Sequence, residues 1–113
     1  MPSSDTVRLR HILDAARQAL GFVNERSRAD LDADPMLSLA LVRLLEIIGE
    51  AARGTSEELR RAHPDVAWSK MAGMRDRLIH GYFDVNLDIV WQTVSQDLPV
   101  LIAQVEKIVG LLG

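Results

Sequence analysis

Apolar residues recur every three or four positions along most of the chain, which is the spacing of one face of an α-helix. The first such segment covers residues 9–23. With N-cap candidates among residues 3–5, it predicts an amphipathic helix that ends near Arg26. No segment alternates apolar and polar residues with period two, and there is no Asn-Gly hairpin signal. The chain is therefore predicted to be all-α.

The segment from Met36 to Arg53 has apolar residues in nearly every direction around a helix, so this helix is predicted to be central and enclosed by the rest of the protein. Asp34 and Pro35 are expected to be its N-cap and its first residue. Its charged residues step by three, four and three and therefore share one stripe: Arg43, Glu46, Glu50 and Arg53. The stripe is either a ladder of ion pairs at a solvent edge or one wall of a functional cleft, because burying an unpaired charge is costly.

Three shorter segments follow the same reasoning. Residues 24–35 are polar and rich in Asp, which predicts a connection. Residues 55–58, TSEE, fit a capping box that opens a short helix ending at Ala62. A further helix is predicted to begin at Ser69 and to stop at Gly81, a residue type favoured after the last helical turn.

The last long helix is predicted to begin after Asn86, whose side chain can cap it. Apolar residues keep helical spacing from there to the end of the chain. Pro99 lacks an N–H and its ring opposes a regular helix, so a kink or a break is expected near Asp97.

Length, net charge and composition limit the classes of protein to which the chain can belong. A chain of 113 residues can bury one core, so a single domain covering residues 1–113 is expected. The net charge of -3 excludes a globally basic nucleic-acid-binding surface, and any contact with nucleic acid must be local. The chain has no Cys, no apolar leader at its start and no apolar run long enough to span a bilayer, from which a cytoplasmic protein without a membrane segment is expected.

The candidate chemistry lies in residues 71–83, MAGMRDRLIHGYF, where Arg75, His80 and Tyr82 form the pattern RxxxxHxY. Arginine is a permanent cation with a planar set of donors suited to phosphate, and histidine exchanges protons near neutrality. In a straight helix five residues turn about 500°, which leaves Arg75 and His80 roughly 140° apart. A loosened last turn before Gly81, or a second copy related by a two-fold axis, would bring them together, and we favour the dimer.

Several runs around this motif carry a resemblance to a known family: EIIGEAA at residues 46–52, HPDVAW at 63–68, GMRDRLIHGYFDVNLDIVW at 73–91 and DLPVL at 97–101. Together they resemble the HepT-like proteins of the HEPN superfamily over most of the chain. The isolated RxxxxH pattern is weak, whereas RxxxxHxY preceded by IGEAA and followed by a Trp-bearing helix is specific.

The resemblance implies a helical bundle of four to six helices that forms a homodimer and acts as an endoribonuclease toxin without a metal or another cofactor. It implies RNA as the substrate and a neighbouring nucleotidyltransferase antitoxin as the partner. Arg75 and His80 match the catalytic pair of the family, Asp76 belongs to the same motif, and Tyr82 matches the tyrosine that the antitoxin adenylylates.

The residues are compatible with this chemistry. RNA cleavage without a metal needs a base for the 2′-hydroxyl, an acid for the leaving 5′-oxygen and a cation for the phosphorane. His80 could transfer the protons and Arg75 could supply the cation. Asp76 is either an orienting group or a structural ion-pair partner. Glu46, Glu50 and Arg43 are the candidates for supporting polar groups.

The motif also allows other interpretations. AMP on Tyr82 would add bulk and negative charge where the RNA phosphate must lie, although a lone tyrosine is more often packed at a helix end. The chain could also be a non-catalytic helical dimer that binds a nucleotide or docks a nucleotidyltransferase. A purely structural helical scaffold would make the motif a coincidence.

Overall fold

The computed structural model describes residues 4–80 and 84–112. Within these ranges a π-helical turn (Thr93–Asp97) joins the last two α-helices, and two short strands precede them. The elements in chain order are α1 (Ser4–Val23), α2 (Arg28–Ala33), α3 (Pro35–Arg53), α4 (Glu57–Ala62), α5 (Trp68–Ala72), α6 (Met74–Leu78), β1 (Ile79–His80), β2 (Asp84–Val85), α7 (Leu87–Gln92) and α8 (Leu98–Leu112). The all-α class is confirmed, and no helix in the described part of the chain is long and apolar enough to cross a membrane.

Helix α3 lies at the centre of the fold, as its sequence predicted. It packs against α1, α2, α5, α6 and α7, and α1 also packs against α8. Its start is fixed by Asp34, whose side chain accepts a hydrogen bond from the backbone N–H of Leu37 at 3.2 Å, with Pro35 in the first turn. The largest fully buried side chains come mainly from these helices: Leu9, Ile12, Leu41, Leu45, Ile48, Leu98 and Val105.

The enclosure of α3 is less complete than predicted. Met36 is 82% exposed and Leu39 is 67% exposed, although both are large and apolar. They stand at helical spacing ahead of Arg43, so the exposed line on α3 is longer than the charged stripe and begins with apolar side chains.

Two expectations for the short segments were wrong in detail. The predicted connection at residues 24–35 contains α2, a helix short enough to escape a search for sustained apolar periodicity, in which only Leu31 is buried. In the second segment the N-cap of α4 is Ser56, whose hydroxyl accepts from Leu59 N–H at 3.1 Å. Thr55 is instead buried and donates its hydroxyl to the carbonyl of Ala52.

The helix predicted from Ser69 to Gly81 was also wrong, because two shorter helices and a strand occupy most of that segment. Gly73 separates α5 from α6, and α6 ends at Leu78. Ile79 is extended (φ -118°, ψ 122°) and pairs antiparallel with Val85, as His80 does with Asp84. Pairing between β1 and β2 takes up backbone groups that a longer helix would have used.

Pro99 disturbs the last long helix without breaking it. The turn before it is π-helical, and the N–H of Leu98 bonds to the carbonyl of Thr93, five residues earlier. This wider turn accommodates the proline, whose ring would oppose a carbonyl oxygen in a regular α-helix. The disturbance predicted near Asp97 is therefore present as a π-turn.

Candidate active site

A polar cleft of about 330 Å³ lies between the C-terminal half of α3 and the α5–α6 segment. Its lining residues are Glu46, Gly49, Glu50, Arg53, Ala72, Arg75 and Asp76. The structure therefore brings together four of the candidate site residues, Glu46 and Glu50 from α3 and Arg75 and Asp76 from α6, with Arg53 of the charged stripe beside them. The lining does not include Arg43, which is exposed on the same face of α3.

The floor of the cleft depends on a close approach between two helices. An added Cβ on Gly49 would lie 2.8 Å from the carbonyl oxygen of Met71, a distance that real side chains do not reach. A glycine at this position lets the end of α5 lie directly on the backbone of α3. Gly49 is the glycine of the IGEAA run, so this part of the sequence pattern has a packing role.

Arg53 joins the same two elements one helical turn further along α3. Its Nη2 donates to the carbonyl oxygen of Ala72 at 2.7 Å, and its Nη1 lies 3.7 Å from Glu50 Oε1. Ala72 is the last residue of α5, where a helix leaves carbonyl groups without intrahelical donors. Sequence reasoning placed Arg53 on the charged stripe but could not foresee this bond, because the acceptor is a backbone group of another element.

The charges of the cleft do not balance within one copy of the chain. Three carboxylates, from Glu46, Glu50 and Asp76, face two guanidinium groups, from Arg53 and Arg75. A polyanion such as RNA would be repelled by this excess of negative charge unless further cations complete the site. Within the described ranges, no three acidic or histidine side chains are placed to hold a metal ion.

The second half of the motif follows α6 directly. His80 is the last residue of β1, and its strand partner is Asp84. The backbone N–H of Asn86 donates to the carbonyl of Leu78 at 2.7 Å, which joins the residue after β2 to the end of α6. Tyr82, the candidate modification site, lies outside the described residues, as do Gly81 and Phe83.

Arg77 is a further cation near the motif that sequence reasoning passed over. One of its guanidinium nitrogens, Nη1, is buried and has no hydrogen-bond partner in the described part of the chain. No sequence pattern separates it from the other arginines, because its environment depends on how α6 packs.

Other cavities exist, and chemistry rather than size selects the cleft. One of about 550 Å³ lies between α1 and α8, beside the ion pair of Arg17 and Glu106. Another of about 210 Å³ is mainly apolar and lies behind α5, next to the ion pair of Lys70 and Asp97. Neither is lined by a residue of the RxxxxHxY motif.

The family and the similar proteins that the sequence matches are all described as ribonucleases. Residues 12–108 match the family described as Ribonuclease HepT-like. One similar protein, from Caldanaerobacter subterraneus subsp. tengcongensis, is provisionally named an RNase. It is 45% identical to this chain over 100 residues, and the match covers 88% of this chain and 89% of that protein. A probable ribonuclease HepT of Thermococcus cleftensis is 39% identical, covering 88% of this chain and 91% of its own. A provisionally named RNase of Methanocaldococcus jannaschii is 34% identical over 110 residues, covering 96% of this chain and 91% of its own. No solved structure gives a significant match.

Proposed function

This chain belongs to the HepT-like ribonuclease family, and from that premise we propose that it is a metal-independent endoribonuclease in which Arg75 and His80 cleave RNA at a site shared by two copies. The observation that carries the proposal is the cleft that holds Arg75 and Asp76 against α3, within the residues that match the family. The names of the similar proteins, which give ribonuclease as their activity, support the same substrate class.

The proposed reaction is an in-line displacement at a phosphodiester. His80 takes the proton of the 2′-hydroxyl, whose oxygen then forms a bond to phosphorus. Arg75 stabilises the negative charge that builds up on the phosphorane oxygens. The bond to the 5′-oxygen breaks, and that oxygen receives the proton that His80 has taken up, leaving a 2′,3′-cyclic phosphate and a 5′-hydroxyl. Each site combines Arg75 of one copy with His80 of the other, so a dimer has two such sites.

The exposed line on α3 supports the dimer. It runs through positions 36, 39, 43, 46, 50 and 53, spaced by three and four, and it starts with the exposed apolar side chains Met36 and Leu39. An antiparallel pairing of two such lines would place the cation Arg43 of one copy near the carboxylate of Glu46 in the other. Arg43 lies outside the lining of its own cleft, so in this pairing it would bring the cleft of the other copy the one cation that it lacks.

We assign supporting roles to the polar residues of the cleft. Glu46, Glu50 and Asp76, which line the cleft together with Arg75, are proposed to orient its guanidinium, and Arg43 is proposed to contribute through the dimer contact. Glu46 is half-buried, whereas Glu50 is 74% exposed and pairs only loosely with Arg53. A Glu50→Ala variant with undiminished activity and stability would contradict the role given to Glu50.

The proposed biological role is that of a toxin held in check by a nucleotidyltransferase antitoxin that transfers AMP to Tyr82. The transferred group would add bulk and negative charge beside His80, two residues away in the chain. Intact-mass measurement after incubation with the neighbouring nucleotidyltransferase and ATP should show one AMP per chain. Tyr82→Phe should remain unmodified, and an adduct on that variant would contradict the assignment.

Cleavage of RNA in EDTA tests the activity itself. The unmodified protein should cleave, and Arg75→Ala and His80→Ala should each lower the rate by at least about a hundredfold, since each removes one catalytic group. Arg61→Ala is a matched control, because Arg61 is an exposed arginine on α4 paired with Glu57, away from the cleft. If the folded wild-type protein binds RNA or the nucleotidyltransferase but cuts no RNA, the chain is a docking partner rather than an enzyme.

A further inference from the structure

The cleft contains a cation that the RxxxxHxY motif does not include. Arg53 lies on α3, 22 positions before Arg75 in the chain, and both side chains line the same cleft. Its Nη2 makes the 2.7 Å hydrogen bond to the carbonyl of Ala72 already described. Arg53 is therefore engaged with the backbone that leads into α6.

The segment that carries Arg75 needs such a support. Helices α5 and α6 have five residues each, and an isolated helix of that length is not stable in water. They are separated by Gly73, where α5 ends and α6 begins. The position of Arg75 therefore depends on what holds the end of α5 in place.

Helix α3 holds that end at two consecutive carbonyl groups. The carbonyl oxygen of Met71 occupies the space that a side chain at Gly49 would need, 2.8 Å from an added Cβ, and the carbonyl oxygen of Ala72 accepts from Arg53. Gly49 and Arg53 are four residues apart and so lie on the same face of α3. One contact sets the distance between the elements, and the other fixes the direction in which the chain leaves α5.

We infer that Arg53 is a positioning residue for the proposed ribonuclease: it anchors the α5–α6 turn to α3 and thereby sets Arg75 against the scissile phosphate. The inference rests on the proposed function. The anchoring contact is a hydrogen bond to a carbonyl, so it requires a donor of the right reach, which lysine retains and methionine lacks. A displacement of about 1 Å at a catalytic group can cost a hundredfold in rate.

The test compares Arg53→Met and Arg53→Lys with the control Arg61→Met in steady-state cleavage of a short RNA. Arg53→Met should lower kcat by about tenfold to a hundredfold with KM within about threefold of wild type, because the loss is in alignment and not in substrate binding. Arg53→Lys should recover most of kcat, and Arg61→Met should match wild type.

Two outcomes would overturn the positioning role. If Arg53→Met raised KM, left kcat unchanged and weakened the salt dependence of binding, Arg53 would be a direct phosphate contact. If kcat and KM were both unchanged, the hydrogen bond to Ala72 would have no catalytic consequence.

A second measurement does not need catalysis, so it separates failure of this inference from failure of the proposed function. Amide hydrogen exchange in α6 should be about tenfold faster in Arg53→Met than in wild type, with exchange in α1 and α8 unchanged. Unchanged exchange in α6 would overturn the anchoring, whatever the RNA assay shows. If the wild-type protein cleaved no RNA but exchange in α6 was faster in Arg53→Met, the anchoring role would be supported and only the proposed ribonuclease activity would be refuted.

Discussion

At the scale of single residues, Asn86 links the end of α6 to the start of α7. Its side-chain oxygen accepts from the N–H of Ile89 at 3.2 Å, which caps α7. Its backbone N–H donates to the carbonyl of Leu78 at the end of α6. One residue thus caps α7 and bonds to the end of α6, directly before β1 and His80.

Replacing Asn86 by Ala should lower the free energy of unfolding by about 1 kcal/mol, because the cap is lost while the backbone bond to Leu78 remains. Urea denaturation followed by circular dichroism measures the change. Asn86→Asp is the matched control, since a carboxylate can accept the same hydrogen bond, and it should stay within about 0.5 kcal/mol of wild type. Equal losses in both variants would contradict the capping role.

Residues that act locally were the most predictable. The caps Asp34 and Asn86 were recognised in the sequence because each cap accepts from a backbone N–H only three residues further along the chain. The shift of the α4 cap from Thr55 to Ser56 was not recognised in the sequence. Both residue types can cap a helix, and only the packing of Thr55 into the core decides between them.

At the scale of elements, the contact between α3 and α5 determines the shape of the cleft. Gly49 permits it, since any side chain there would meet the backbone of Met71. This contact also explains why α5 and α6 exist as helices despite their length, because they are supported by tertiary packing and not by intrinsic helix stability.

Gly49→Ala should therefore lower the free energy of unfolding by about 1–3 kcal/mol through overpacking, even though alanine is the better helix former. Gly21→Ala is the control: Gly21 lies in α1, and an added Cβ there would meet nothing within 4 Å. That variant should gain about 0.5–1 kcal/mol. A neutral or stabilising Gly49→Ala, measured by urea denaturation, would show that the two helices do not approach as closely as described.

Elements were predictable where their hydrophobic pattern was long. The cores of α1, α3 and α8 follow from apolar spacing over 15 to 20 residues. The end of α6 at Leu78 does not, because it depends on pairing between β1 and β2 and on the bond from Asn86, none of which leaves a local signal. The same limit applied to the candidate site: the sequence supplied Arg75, Asp76, Glu46 and Glu50, whereas the bond of Arg53 to Ala72 required the fold.

At the scale of the whole molecule, the exposed line on α3 is the feature that a single copy leaves unexplained. Met36 and Leu39 are apolar and exposed at one end of the line, and the negatively charged cleft lies at the other. A second copy placed antiparallel across this line would cover the apolar residues and bring its Arg43 to the cleft as the missing cation.

Leu39→Glu should accordingly weaken the dimer and lower RNA cleavage with it, because a pairing that sets Arg43 opposite Glu46 also sets position 39 opposite Glu50 of the other copy, and two carboxylates would face each other. Sedimentation velocity over a range of concentrations measures the association. Leu111→Glu is the matched control, because Leu111 is similarly exposed (71%, against 67% for Leu39) but lies near the end of α8. If the Leu39 variant remained a dimer and cleaved normally, the dimer interface would have to lie on another surface.

The central claim, a site built from Arg75 and His80 of two copies, is tested most directly by subunit complementation. Arg75→Ala and His80→Ala are purified separately, mixed in equal amounts, allowed to exchange subunits, and assayed for RNA cleavage in EDTA. In a mixed dimer, a composite site that combines Arg75 of one copy with His80 of the other would occur once intact and once doubly disabled. Random mixing should therefore restore about a quarter of wild-type activity from two inactive parents. A mixture that exchanges subunits and stays inactive would contradict the shared site.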